Sequence, residues 1–416
     1  MSNWKKNIAL YMTGQGISLF GSMLVHYAIM WHVTLKTRLG LMMTLITVAG
    51  DLPMFFISPF GGVWADRYNK KNVIVIADAS IAVVTLIMAV VFSRGVDLTG
   101  LLLLCLAVRS LGQGVQTPAV SAFIPELVPQ EHLTRVNGFN GSIQSAVMFA
   151  SPMAGGALLA VAPIHILMYI DVVTAAIGIG MLLFFVNAPT RQQEKEIKAG
   201  AKQYFVEIGE GLGYVGEQPF LKRFFAINAL FCIMAAPAAV LTPLQVARNW
   251  GDDIWSLFGN LSFGAEQRLA AIEIVFFIGM MLGGLLMGIW GGFRNKSHSM
   301  ALSVCLLGIG SVGLGLLTNF WPYLVCMGLT GLVLSVFEAP MMATLQTNVD
   351  SGYMGRVFSV LMMLESLMMP LGMVIWGPLC DAVAIDLLLI VSGGVLFLTG
   401  FVFVFDRTLL KAGAPR

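Results

Sequence analysis

Apolar runs of about 18 residues or more recur along the whole chain, and each is long enough to cross a hydrocarbon layer of roughly 30 Å as a helix. Inside a bilayer the backbone must satisfy its own N–H and C=O groups, so such runs specify membrane-spanning helices and not the core of a soluble domain. Composition agrees, because 57% of the 416 residues are hydrophobic and only 11% are charged. That is about half the charged share of a soluble domain. A soluble multidomain enzyme is excluded.

Twelve spans are read at 8–34, 39–65, 73–93, 98–125, 136–161, 164–187, 221–247, 269–293, 299–319, 321–348, 357–380 and 384–405. The first follows the short segment Met1 to Asn7 directly, exceeds a signal-peptide core in length and lacks a cleavage site, so it is expected to remain as a helix. Of 24 Lys and Arg residues, Lys36, Arg38, Arg94, Arg248 and Arg268 fall on one side and Arg109 lies within a span. Every other one falls on the opposite side. By the positive-inside rule that side is cytoplasmic, and it holds both termini. Cys105, Cys232, Cys305, Cys326 and Cys380 all lie in apolar runs without paired spacing, which suggests packing and not a disulfide or zinc framework.

Two hydrophilic segments interrupt the pattern. Residues 188–220 carry Arg191, Lys195, Lys198 and Lys202, then Tyr204, Phe205, Ile208 and Leu212 at near-helical spacing. This reads as a cytoplasmic linker with an interfacial helix between a six-helix bundle at 1–187 and a second at 221–416. The segment 251–267 reads as an extracellular hairpin. The halves also resemble one another: GVWADRYNKK (62–71) aligns with GIWGGFRNKS (288–297), and QTPA (116–119) with EAPM (338–341), placing Pro118 over Pro340. The expected fold is an all-α membrane protein of two pseudo-symmetric six-helix bundles, the layout of a transporter with a central site.

An ionisable residue within a span costs about 2.5 to 3.5 kcal/mol on insertion scales, so each should face protein or a water-filled cavity. Asp51, Arg109, Asp171, Glu273, Glu338 and Glu365 meet that description and are the proton-coupling candidates. Burial favours the neutral form of a carboxyl group unless a cation pairs with it. Arg109, in VRSLGQGVQTP, is placed to hold one acid ionised; structural pairing within the bundle is the alternative. Gln15, Gln113, Gln116, Gln144 and Asn228 are polar candidates for a substrate cavity. In SPMAGG (151–156), Pro152 removes a helix hydrogen bond while Gly155 and Gly156 permit close contact, which suits a bend or a tight helix interface. No HExxH pair, phosphate-binding GxxxxGK[ST] loop or nucleophile elbow occurs, which argues against an enzyme, a metal site or transport powered by ATP within the chain.

The charged loop GGVWADRYNKK (61–71) resembles motif A of the major facilitator superfamily, with Gly62, Asp66, Arg67, Lys70 and Lys71 at motif positions. Asn69 stands where the motif carries Gly, and Asn tolerates the left-handed backbone of a tight turn. VRSLGQG resembles motif B around Arg109, ASPMAGG resembles motif C of drug/proton antiporters with Ser151 in place of a Gly, and GRV at 355–357 is also familial. The layout is most similar to the bacterial branch of macrolide-efflux proteins and the enterobactin exporter.

The resemblance implies a monomeric, multi-pass transporter of the bacterial inner membrane that exports bulky amphipathic compounds by proton antiport. The proton gradient replaces any cofactor, the partners are a small-molecule substrate and membrane lipid, and nucleic acid is not expected. It also implies that Asp66 and Arg356 form a conformational latch. A lysophospholipid flippase or importer of the same fold, or a membrane sensor, is the competing expectation.

Overall fold

The structure is a computed structural model that describes residues 4–186, 201–250, 255–257, 261–350 and 353–414. It divides into two compact units, Met1–Val33 with Leu45–Tyr204, and Thr34–Thr44 with Phe205–Arg416. The helices of the first half are α1 (Trp4–Thr37), α2 (Gly40–Arg67), α3 (Lys70–Ser93), α4 (Thr99–Leu127), α5 (Leu133–Leu159) and α6 (Ile164–Phe185). Those of the second are α7 (Ala201–Glu217), α8 (Pro219–Val240), α9 (Thr242–Asn249), α10 (Ala265–Trp290), α11 (Lys296–Leu316), α12 (Phe320–Asn348), α13 (Met354–Ala382), α14 (Ile385–Phe405) and α15 (Arg407–Gly413).

Eleven spans among the described residues are long and apolar enough to cross a membrane, α8 and α9 together forming one of them. The twelfth long helix is α4, 29 residues with Arg109, Gln113 and Gln116 in its middle. Each half therefore contributes six long helices, and the fold is the all-α membrane fold that the hydropathy pattern predicts. The expected hairpin at 251–267 contains two antiparallel strands, β1 (Trp255–Leu257) and β2 (Leu261–Phe263). The interfacial segment folds as the 17-residue α7; Arg191, Lys195 and Lys198 lie outside the described residues.

Local chemistry explains several boundaries. The side chain of Asn69 accepts from Lys71 N at 3.0 Å and Asn72 N at 3.4 Å, so it caps α3. Its backbone is extended, with φ −60°, and not left-handed as the sequence suggests, because an N-cap residue must stay extended for its side chain to reach the first free N–H groups. Asn295, its counterpart in the repeat, caps α11 by accepting from Ser297 N at 3.0 Å. The aligned asparagines thus do the same work, and Pro118 and Pro340 lie inside the corresponding helices α4 and α12.

Small residues set the helix spacing in both units, as expected where lipid removes the hydrophobic drive for association and packing decides. A Cβ at Gly61 on α2 would meet the Gly114 carbonyl oxygen on α4 at 2.6 Å. In the second unit Gly279 and Gly283 on α10 lie in the same way against Gly328 and Leu332 on α12.

One division differs from the sequence boundary. Thr34–Thr44, the turn between α1 and α2, packs with the second unit and not with the rest of the first half. Asp381 at the end of α13 accepts from Gly40 N at 2.7 Å and Leu41 N at 2.9 Å, capping the start of α2. Arg248 of α9 donates to the same carboxylate at 2.7 Å and to the carbonyl oxygens of Arg38 and Cys380. An anion at a helix N-terminus is favourable on both hydrogen-bonding and dipole grounds.

Candidate functional site

Ionisable and amide side chains gather inside the first unit on α1, α3, α4 and α6. Arg109 and Asp171 are 2% and 0% exposed, and they form a direct ion pair. Arg109 also donates to the Thr85 hydroxyl and, at 3.3 Å, to the Ser22 carbonyl oxygen. The Ser22 hydroxyl donates to the other Asp171 oxygen at 3.3 Å. Breaking a buried pair strands a charge in a poor solvent, so these contacts tie the two groups together. The sequence left open which acid Arg109 would serve, and the fold assigns it Asp171, 62 residues away.

A second acid lies in the same interior. Asp78 on α3 is 3% exposed and accepts from Gln15 Nε2 at 3.4 Å and from Gln116 Nε2, which is itself 3.5 Å from Gln15 Oε1. Gln15 and Gln116 therefore meet, though around a carboxylate that the sequence reading passes over. The signal was present, since Asp78 interrupts the apolar run VIVIADASIAV just as Asp51 and Glu365 interrupt theirs. Asp51 on α2 is half-buried and makes no hydrogen bond or ion pair among the described residues. Gln113 is also half-buried, and Gln144 on α5 is exposed.

The buried cation of the second unit, Arg268 at the start of α10, donates to the Trp250 carbonyl oxygen and lies over the Phe320 ring, and the acids Glu338 and Glu365 form no ion pair with any cation among the described residues. Glu365 on α13 accepts from Asn228 Nδ2 at 3.2 Å, and Asn228 on α8 is 4% exposed. Glu338 on α12 is exposed and close enough to Glu365 for the two charges to act on one another. Glu273 on α10 is half-buried. The Arg and Lys residues of the described second unit lie near helix ends, where Arg223 pairs with Asp406, Arg248 with Asp381 and Arg356 with Glu210.

The charged loop is partly tied down. Lys70 pairs with Glu126 at the end of α4 at 2.7 Å, and Lys71 donates to the Leu183 and Val186 carbonyl oxygens at 3.0 and 2.8 Å. The latter places a cation on the free carbonyls at the end of α6, where the helix dipole favours it. A Cβ at Gly62 would meet nothing, Arg67 is exposed, and the side chain of Asp66 lies outside the described residues. Arg356 bonds Glu210 on α7 at 3.2 Å and lies over the Tyr353 ring. Tyr353 in turn stacks on Tyr214 of α7 with centroids 4.4 Å apart.

In the α5 motif, Ser151, Pro152, Gly155 and Gly156 are buried on one side of the helix. A Cβ at Gly155 would lie 3.8 Å from the Leu24 carbonyl oxygen and 3.9 Å from Tyr27 and Trp31, ordinary contact with α1.

Comparison with known proteins fits this architecture. The chain is 27% identical over 394 residues to "Macrolide efflux protein A" of Streptococcus pyogenes, with 94% of each chain covered. It is 22% identical over 382 residues to "Multidrug efflux pump Tap" of Mycobacterium bovis, covering 89% of this chain and 84% of that one. Among solved structures, the nucleoside transporter NupG superposes with a TM-score of 0.72 at 15% identity, over 97% of this chain and 98% of its own. The POT family transporter PepTSo does so with a TM-score of 0.71 at 11% identity, over 99% of both chains. The profile of the Major Facilitator Superfamily matches residues 8–265, more than half the chain, and the protein belongs to that superfamily.

Proposed function

We propose that this protein is a drug exporter that moves bulky amphipathic compounds out of the cell by proton antiport with alternating access. The observation that carries the reading is the end-to-end match to a macrolide efflux protein, over 94% of both chains, with a multidrug efflux pump among the further relatives. The interior chemistry supports the energy source. Glu338 and Glu365 form no ion pair among the described residues, so their charge is neutralised either by a proton or by a basic substrate. Competition between the two at one acidic site is the simplest basis for antiport, because binding one displaces the other.

In this reading the protein is a monomer in the bacterial cytoplasmic membrane with both termini inside, and its energy comes from the proton gradient without a cofactor. Asp51, Glu273, Gln113 and Gln144 remain candidates for the translocation path. Asp66 and Arg356 remain candidates for a cytoplasmic conformational latch.

The test is uptake of erythromycin by everted vesicles from a strain lacking its own pumps. An imposed inside-acid gradient should drive accumulation that a protonophore abolishes. No accumulation of erythromycin or of a panel of cationic dyes under any gradient would overturn the proposal.

A further inference from the structure

Inside the first unit Asp78 is a buried acid with amide partners and no ion pair among the described residues. α3 packs against α4 and α6 and meets α1 through Gln15. The ionisable groups that these elements turn toward Asp78 are few. On α1 there is Tyr11, whose hydroxyl donates to the Val120 carbonyl oxygen at 3.4 Å and so has a partner of its own. On α6 there is Asp171, close enough for its charge to act on Asp78. On α4 there is Arg109, committed to Asp171. Lys71, on α3 itself, is held by the α6 carbonyls. His26, also buried on α1, is close enough for the charge of Arg109 to act on it, and Asp78 is left with its amide partners and no ion pair among the described residues.

The partners of Asp78 suit a group that changes its protonation state. A guanidinium offers donors alone and fixes a carboxylate as the anion, which is the situation of Asp171. A glutamine amide offers donors on one side and an acceptor on the other. Gln15 and Gln116 can give N–H groups to an ionised Asp78 and, after an amide flip, accept the O–H of a protonated one. Both states are therefore solvated by the same two side chains, without importing water or a counter-ion.

We propose that Asp78 is a proton-binding site of the first unit, loaded and emptied during transport, with Gln15 and Gln116 as its positioning residues. The Arg109–Asp171 pair acts beside it as a fixed dipole. This rests on the antiport reading and adds to it a site distinct from the glutamates of the second unit.

Two measurements on the reconstituted full-length protein separate the ideas. Infrared difference spectra across a pH titration should show protonated-carboxyl absorption in the wild type with one component that disappears in Asp78→Asn and is displaced in Asp78→Glu. The pH profile of gradient-driven erythromycin uptake should flatten in Asp78→Asn, with a loss of about tenfold or more at its optimum, and should shift without flattening in Asp78→Glu. A wild type that ignores the gradient but shows that component would overturn antiport and keep the proton site. An Asp78→Asn spectrum that keeps every component of the wild-type carboxyl absorption would overturn the site. An Asp78→Asn protein whose uptake falls equally at every pH, with its profile intact, would reduce Asp78 to a structural residue. Where Asp78→Asn does not fold, the displaced component and shifted profile of Asp78→Glu decide the matter.

Discussion

Arg109 and Asp171 form an ion pair inside the first unit, whereas in the second Glu365 accepts from the Asn228 amide and neither it nor Glu338 has an ion-pair partner among the described residues. Related six-helix architectures have thus been given different electrostatic interiors. A buried pair closed by extra bonds from Thr85 and Ser22 is insensitive to the medium until it is broken. A carboxylate held by an amide alone takes its counter-charge from whatever arrives. In the proposed reading the first unit holds a fixed ion pair beside one exchangeable acid, and the second an acidic site for protons or basic compounds.

The sharpest way to break this contrast is to remove the cation. Arg109→Leu should leave Asp171 buried without its cation, at a cost of about 3 to 5 kcal/mol, read as loss of folded protein in detergent thermal unfolding. The double variant Arg109→Leu/Asp171→Leu should recover most of that stability. A single variant as stable as the wild type would show that Asp171 has another partner. The contrasting substitution, Glu365→Gln, should leave unfolding within about 0.5 kcal/mol of the wild type while reducing gradient-driven efflux about tenfold or more. Efflux assays and unfolding on the same preparation check both parts. A large stability loss would place Glu365 with Asp171 as a structural acid.

A smaller effect tests where the halves agree. Asn69→Ala and Asn295→Ala each remove a helix cap and should each cost about 1 kcal/mol. Unfolding midpoints of the two variants should fall together. A loss confined to Asn69→Ala would show that the aligned asparagines are not equivalent.

Much of the candidate site was legible before any fold was known, because an ionisable residue within an apolar run is conspicuous in one dimension. Arg109, Asp171 and Glu365 were found that way, and Asp78 carried the same mark. What that mark does not reveal is partnership. Gln15 was singled out as a polar cavity residue on α1, yet its meaning depends on facing Asp78, 63 positions away. Asn69 was read as a turn residue tolerant of left-handed backbone, and the structure makes it an N-cap, because the free N–H groups of α3 compete for its side chain. Lys70 and Lys71 were read with the charged loop, while their contacts run to Glu126 and to the end of α6.

By itself the sequence determined the solvent, the number and length of the spans, the internal repeat and the familial loop. The first three follow from hydropathy or spacing along the chain, where the bilayer imposes a length and the helix a period, and the loop from its resemblance to a family motif. Only the tertiary structure decided which charge neutralises which, that one acid is left with amides alone, and that Thr34–Thr44 packs with the second unit through Asp381 and Arg248. Those outcomes depend on side chains brought within about 3 Å of one another from distant spans, and local pattern does not specify which face of one helix meets which face of another.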